Sequence, residues 1–420
     1  MEASFNWRPV DFAGKMSAPM AKQKTVWIMP GGRFQVPLIE CAHGIGHRVV
    51  VSDRNPGCPG RVLADEFVSL GVDAFDDLLA CARELRPDAV VTDQTDAAVV
   101  VVARLCEELG LHGVGFECAK RFTDKFQMRT ALKAAGLNMP AFARCESLAE
   151  CVESAEAIGW PVMIKPPASQ SSFGVSRVDN SVQLKVAFAK AASIGGGAVM
   201  VEDFLEGEEF TVEGYAGFWG HTSLCISQKS HYEHRPMVAD SLLYSPCHSD
   251  YDYAALRDLN NRVVGALGLP FGLTHSEYKW TGAEFQLVEI AARGCGTWVT
   301  SHLVPALTGV DPYPFFLSAA LGESPPASDV CLSGFGALDF LHFPPGCVRS
   351  IEGLESAQTM PGVLKVGLNY AVGQMIPEPT DDTNRAGYSL MVADSRAELD
   401  VLRERVRESV RVYYEDTHVS

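Results

Sequence analysis

Apolar and polar positions divide the chain into short strands alternating with helices. Val26 to Met29 is an apolar run of strand length, followed by Pro30-Gly31-Gly32. Val36 to Ala42 has helical spacing, and Arg48 to Ser52 is a second strand ending at Asp53. Asp76 to Leu85 reads as a helix, Ala89 to Thr92 as a buried strand and Asp96 to Leu109 as another helix. Short apolar strands joined by helices imply a parallel sheet with helical crossovers.

Residues 25–112 are therefore expected to form a Rossmann-like domain. Residues 1–24 mix Pro, Gly, Lys and Met without periodicity and read as a loosely held extension. The middle of the chain is mixed α/β. Asp124 to Ala135 is amphipathic and stops at Gly136. Ser147-Leu-Ala-Glu150 fits a capping box for a helix with apolar positions 148, 152, 155 and 158. Pro161 to Lys165 and Ala198 to Glu202 are strand-like, Tyr251 to Leu267 is helical, and 273–280 with 285–290 could pair through Thr281-Gly282. The last part, 326–420, has strand-like runs at 334–343, 363–366 and 388–393. It closes with a helix whose capping box is Ser395/Glu398 and whose stripe is Leu399, Leu402, Val406, Val410 and Tyr413.

Composition narrows the function. The chain has 420 residues, 47% hydrophobic and 21% charged, as ordinary globular proteins do. A net charge of −17 disfavours sequence-independent nucleic-acid binding, which needs a basic face. No apolar run approaches the roughly 18 to 20 residues of a membrane span, and no secretory signal is visible at the N-terminus. The 12 cysteines contain no Cys-x-x-Cys pair. That scatter argues against a zinc site or a disulfide framework and for a reducing cytoplasm.

Four stretches could carry chemistry. Asp53 follows Gly32 by 21 residues, a spacing close to a dinucleotide fingerprint, but Val36 and Pro37 stand near where the third glycine belongs; a tight strand-to-helix turn fits equally. Lys165 ends a strand and opens a loop containing Ser169, Ser171, Ser172 and Gly174, whose backbone N–H groups could hold phosphate oxygens; the alternative is a surface loop with a snorkelling lysine. Glu202 to Glu209 is acidic and follows an apolar strand: either a solvated turn or acceptors for an adenine amino group and ribose hydroxyls. Glu277 and Glu289 would face each other across the 273–290 hairpin. A carboxylate among apolar neighbours needs a neutralising cation, and Mg²⁺ or a pair of salt bridges would serve. Arg293 follows among glycines and could grip a carboxylate or phosphate in a bidentate way, or pair with a nearby acid.

Together these pieces resemble the ATP-grasp superfamily over residues 25–415. Val49-Val-Val-Ser-Asp-Arg-Asn-Pro56, Thr274-His-Ser-Glu277 and Glu289-Ile-Ala-Ala-Arg293-Gly are similar to its amino-acid ligase branch. The resemblance implies a Rossmann-like domain at 25–112, an ATP-grasp module at 113–325 with a mobile lid at about 140–205, and an α+β domain at 326–420. It implies ATP and Mg²⁺ as cofactors, with Mn²⁺ as a substitute, small-molecule substrates and room for a homodimer. Lys125 and Lys165 would contact the ATP phosphates, Ser169 to Gly174 would close over them, and Glu202 and the Leu205 backbone would meet adenine. Glu209 would bind ribose, Leu287 would pack on adenine, and Glu277 and Glu289 would hold metal. Arg293 would steady the acyl phosphate or the substrate carboxylate. Ala291 stands where many members carry a metal-binding Asn. The implied reaction turns a carboxylate into an acyl phosphate that an amine attacks; an acceptor such as bicarbonate, or ATP binding without catalysis, are the alternatives. Lys229, His231, His234 and Arg235 fit either recognition of an anionic substrate or a solvated loop.

Overall fold

The computed structural model describes residues 23–169, 173–323 and 332–415. Its first sheet is parallel in the order β3-β2-β1-β4, from β1 (Thr25–Ile28), β2 (Arg48–Ser52), β3 (Glu66–Val68) and β4 (Ala89–Val91). All three residues of β4 and nearly all of β1 and β2 are buried, as a sheet covered on both faces requires. The helix Asp96–Leu109 stops at Gly110, which takes the left-handed conformation.

A second, antiparallel sheet in the order β5-β8-β6-β7 joins β5 (Phe142–Cys145), β6 (Val162–Lys165), β7 (Ser176–Val178) and β8 (Val199–Asp203). Helices Leu148–Ile158 and Ser181–Ile194 pack on it and close a separate apolar core. Ser147 caps the first helix by accepting from the Glu150 N–H.

The largest sheet has eight strands. Its members are β9 (Glu208–Gly217), β10 (Gly220–Tyr232), β11 (Arg235–Tyr244), β12 (Gly272–Trp280), β13 (Phe285–Ala291) and β14 (Phe335–Leu341), then, after β15 (Gly346–Glu352), β16 (Val363–Leu368) and, after β17 (Met375–Ile376), β18 (Gly387–Ala393). The order is β13-β12-β9-β10-β11-β14-β18-β16, so the sheet runs on from residues before 325 to residues after it. β15 pairs with β17 on one side and with β19 (Arg411–Tyr414) on the other in a small third antiparallel sheet.

Two features depart from the sequence reading. Strands β9 to β11 lack a clean apolar alternation because Thr211, Glu213, Ser223, Ser227 and Ser241 are buried polar positions inside them. The last helix, Arg396–Ser409, has the expected capping box, but its stripe ends at Val406: Val410 caps it and Tyr413 lies in β19.

Candidate functional site

The first glycine turn is structural. Asp53 accepts from the Gly31 N–H (3.0 Å) and the Asn55 N–H (2.8 Å), and a Cβ on Gly31 would lie 2.6 Å from Val51. Both Asp53 oxygens thus close the turn, which favours the tight-turn reading over a ribose contact.

The helix Lys125–Ala134 is where the site begins. Asp124 caps it by accepting from the Gln127 N–H (2.9 Å). Its buried face is Lys125, Met128, Arg129 and Leu132, a helical stripe that carries two cations. The Lys125 ammonium donates to the Ser169 carbonyl (2.6 Å) and pairs with Glu289 (2.7 Å). The Arg129 guanidinium, 0% exposed, donates to Glu202 (3.1 Å) and to the carbonyls of Leu287 (2.7 Å) and Val288 (2.9 Å). It staples the helix to β8 and β13.

Glu202 also binds Lys165 on the neighbouring strand. Burial works against its charge, yet Arg129 and Lys165 outweigh that cost and hold the carboxyl at about 2. The side chain expected to meet adenine is therefore committed to two cations. Burial lowers Lys165 from its ordinary range, with Glu202 opposing.

Held at about 2 in the fold against 4.5 ordinarily, Glu202 contributes stability that is present above about pH 4.5 and lost as pH falls toward 2. Glu202→Gln should flatten the fall of the urea midpoint between pH 5 and 3 and lower that midpoint at pH 7, since two buried cations lose their partner. An unchanged acid slope would show that Glu202 does not carry this linkage.

Antiparallel pairing of β12 with β13 sets Glu277 directly opposite Glu289. Two like charges in that position repel, so each needs a cation. Lys229 on β10 lies 2.9 Å from Glu277 and 2.7 Å from Glu209, and Lys125 serves Glu289. Burial opposes the charge on Glu277, but Lys229 and His275 hold its carboxyl well below the usual range. Lys229 is thus neither a solvated-loop residue nor a free anion-binding group: it neutralises two acids. His231 lies beside it, 3.7 Å from Glu209, while His234 is exposed in the β10–β11 turn. The acid pair is an all-oxygen donor set, which suits a hard divalent cation.

A bulge in the β12–β13 ladder follows Glu277 and leaves Val288 as the extra residue between Leu287 and Glu289. It re-aims the strand: Val288 faces the cavity, while Leu287 packs in the core with Phe210, Tyr278 and Phe285. Val288, not Leu287, is the apolar residue beside the acids. Gly174 likewise lies outside the cavity wall; it packs against Pro166 and Ile194 at φ +81, a conformation a Cβ would disfavour. Ser171 and Ser172 lie outside the described residues.

Two cavities meet at the acid pair. One, of about 490 Å³, is bounded by Lys125, Lys165, Ser169, Glu202, Leu205 and Glu209. The other, of about 430 Å³, takes Gly32, Arg33 and Phe34 from the first domain, His275, Arg293 and Cys295 from the middle, and Asn369, Asp382 and Arg385 from the C-terminal part. Lys229, Glu277 and Glu289 line both. A larger cavity of about 770 Å³, between Leu307, Val363 and Leu402, touches none of the expected site residues.

Arg293 reaches the second cavity with its fork engaged. It holds Asp96, first residue of the helix Asp96–Leu109, at 2.6 and 3.2 Å and donates to the Gly294 carbonyl at 3.1 Å. Asp96, outweighing burial, raises its pKa. Three of five N–H donors are used, and two remain for a ligand. Arg129 is the buried cation behind this site that sequence reasoning missed; its signal was a cation four positions after Lys125 on one buried face.

The ATP-grasp domain family matches residues 158–302, and the L-amino acid ligase C-terminal domain 2 matches residues 339–415. An uncharacterized protein of Sinorhizobium fredii is 26% identical over 327 residues, covering 77% of this chain and 67% of its own. A formate-dependent phosphoribosylglycinamide formyltransferase of Parasynechococcus marenigrum is 31% identical over 220 residues, 50% of this chain. The chain spans about half the length of such formyltransferases, 56% in this case. The crystal structure of an L-amino acid ligase from Bacillus licheniformis superposes with a TM-score of 0.81 at 22% identity, covering 94% of this chain and 100% of that one.

Proposed function

The chain belongs to the ATP-grasp superfamily of ATP-dependent carboxylate–amine ligases, and from this premise we propose that it activates a small carboxylate as an acyl phosphate and joins it to an amine, an amino acid, releasing ADP and phosphate. The observation that carries this reading is the shared wall. A nucleotide in the 490 Å³ cavity would present its terminal phosphate at Glu277 and Glu289, and a carboxylate in the 430 Å³ cavity would meet it there.

A carboxylate oxygen attacks the terminal phosphorus as the bond to ADP breaks. The amine nitrogen then attacks the acyl carbon, phosphate leaves, and the nitrogen gives up a proton. Lys125 and Lys165 hold the phosphates by charge, and Ser169 lies in the loop beside them. Leu205 and Val288 flank the base, and Glu209 faces the ribose. Glu277 and Glu289 would hold Mg²⁺, which when bound offsets charge on the phosphates. Arg293, pinned by Asp96, offers its two remaining N–H groups to the acyl phosphate or the carboxylate.

The match of 339–415 to an L-amino acid ligase domain supports an amino-acid substrate, since Asn369, Asp382 and Arg385 in that stretch line the second cavity. A one-carbon acid, formate or bicarbonate, is the second reading, favoured by the formyltransferase relative. A matrix of amino acids and small carboxylic acids, scored by phosphate release and product mass, separates them. Amide products support the ligase; phosphate release with formate or bicarbonate alone would replace it with the second reading.

Arg293→Lys should lower amide formation on the order of 10²-fold, because a point charge cannot hold Asp96 and the ligand together. A hydroxamate trap locates the defect: less trapped acyl phosphate places Arg293 at phosphorylation, normal trapping with little amide at amine attack. Ligation at the wild-type rate would make it a strut to Asp96 alone.

A further inference from the structure

Beneath the second cavity lies a cluster that the ligase chemistry does not use. Glu213 on β9 stands directly opposite His275 on β12 in the strand register, and Cys295 follows β13. One ligand atom from each, carboxylate oxygen, imidazole nitrogen and thiol sulfur, lies within 4.8 Å of the others. Glu213 is 2% exposed and Cys295 7%. We propose that Glu213, His275 and Cys295 form a binding site for a zinc-like divalent ion, separate from the Glu277/Glu289 pair.

The donor set argues for that ion class. Magnesium demands oxygen, whereas one sulfur, one nitrogen and one oxygen suit zinc or cobalt. His275 turns Nδ1 to both Glu213 oxygens, at 3.0 and 3.1 Å. An ion bound at Nδ1 would leave the Nε2 side toward Glu277, 3.6 Å away, an arrangement of carboxylate, histidine and metal that fixes the ring. Tyr244 (3.1 Å) and Thr211 (3.3 Å) donate to the Glu213 Oε1 and orient it. Such supports behind the ligands are what a metal site needs, and the strands supply them in advance. Binding displaces the thiol proton to solvent. Because His275 and Cys295 line the cavity, a fourth position opens toward it, as in sites that take up an exogenous ligand.

The cysteine pattern argued against zinc because no Cys-x-x-Cys occurs; three donors brought together by three separate segments leave no such spacing. The test uses the full-length, reduced chain titrated with Co²⁺ in the presence of excess Mg²⁺. One equivalent should give tetrahedral cobalt bands and a thiolate charge-transfer band. Cys295→Ser should abolish the thiolate band, and Tyr244→Phe, which only loosens Glu213, should weaken binding about 10- to 100-fold. X-ray absorption on the zinc-loaded wild type should show a sulfur shell at about 2.3 Å with nitrogen or oxygen near 2.0–2.1 Å, whatever the folding of the variants. The absence of a sulfur shell, a thiolate band that survives Cys295→Ser, or unchanged affinity in Tyr244→Phe would overturn the site.

Discussion

Glu289→Gln should lose Mg²⁺-dependent ADP formation by about 10³-fold or more while the fold persists. Glu289 is half of the cross-strand acid pair and lines both cavities. Glutamine keeps the size but supplies one neutral oxygen, so the cation that offsets phosphate charge loses an anionic ligand. A few kcal/mol of charge stabilisation, on the order of 4, corresponds to that factor. Lys125 keeps its bond to the Ser169 carbonyl, which limits the structural cost. The check is ADP release against Mg²⁺ concentration, with circular dichroism as the control for folding. Near-normal turnover would remove Glu289 from the metal-binding role.

Arg129→Leu should cost about 3–5 kcal/mol of stability, the usual effect of removing one partner from a buried ion pair. The loss leaves Glu202 with Lys165 alone and strips the Leu287 and Val288 carbonyls of a donor. Nucleotide affinity should fall as well, because those carbonyls fix the strand that carries Glu289. Arg129→Lys should rescue little, since one ammonium cannot reach a carboxylate and two carbonyls at once. Urea denaturation measures the first effect and calorimetry with a non-hydrolysable ATP analogue the second. A loss under about 0.5 kcal/mol, the size of a surface change, would show that the staple is dispensable.

Much of this was legible along the chain. Local signals settled the strands β1, β2 and β4, the capped helices at Ser147 and Ser395, and the β12–β13 hairpin, because period and capping act over a few residues. Lys165 and Glu289 could be singled out because charge at the end of, or within, an apolar run is costly unless used, and Glu277 because the hairpin sets it opposite Glu289; Lys125 and Glu209 came only through the family resemblance. Leu287 was misplaced by one residue: a bulge shifts which side chain faces the cavity, and a bulge depends on the pairing of two strands, which single-strand alternation does not contain. Glu202 looked available for adenine because its cations come from 73 and 37 residues away. Strands β9 to β11 escaped because the polar residues that pair inside the sheet break the apolar pattern that marks a strand.

The sequence by itself determined the strands β1, β2 and β4, the capped helices and the β12–β13 hairpin, the alternation that makes the first sheet parallel, and the residue types able to carry phosphate and metal chemistry. These follow from interactions between near neighbours. Only the tertiary structure decided how the charges are spent: Arg129 and Lys165 on Glu202, Lys229 on Glu209 and Glu277, Asp96 on Arg293. It also decided that two cavities meet at one acid pair, and that Glu213, His275 and Cys295 stand together. Buried charges are stable only with partners, and which partners are within about 4 Å is set by strand order and register across the folded chain, not by distance along it.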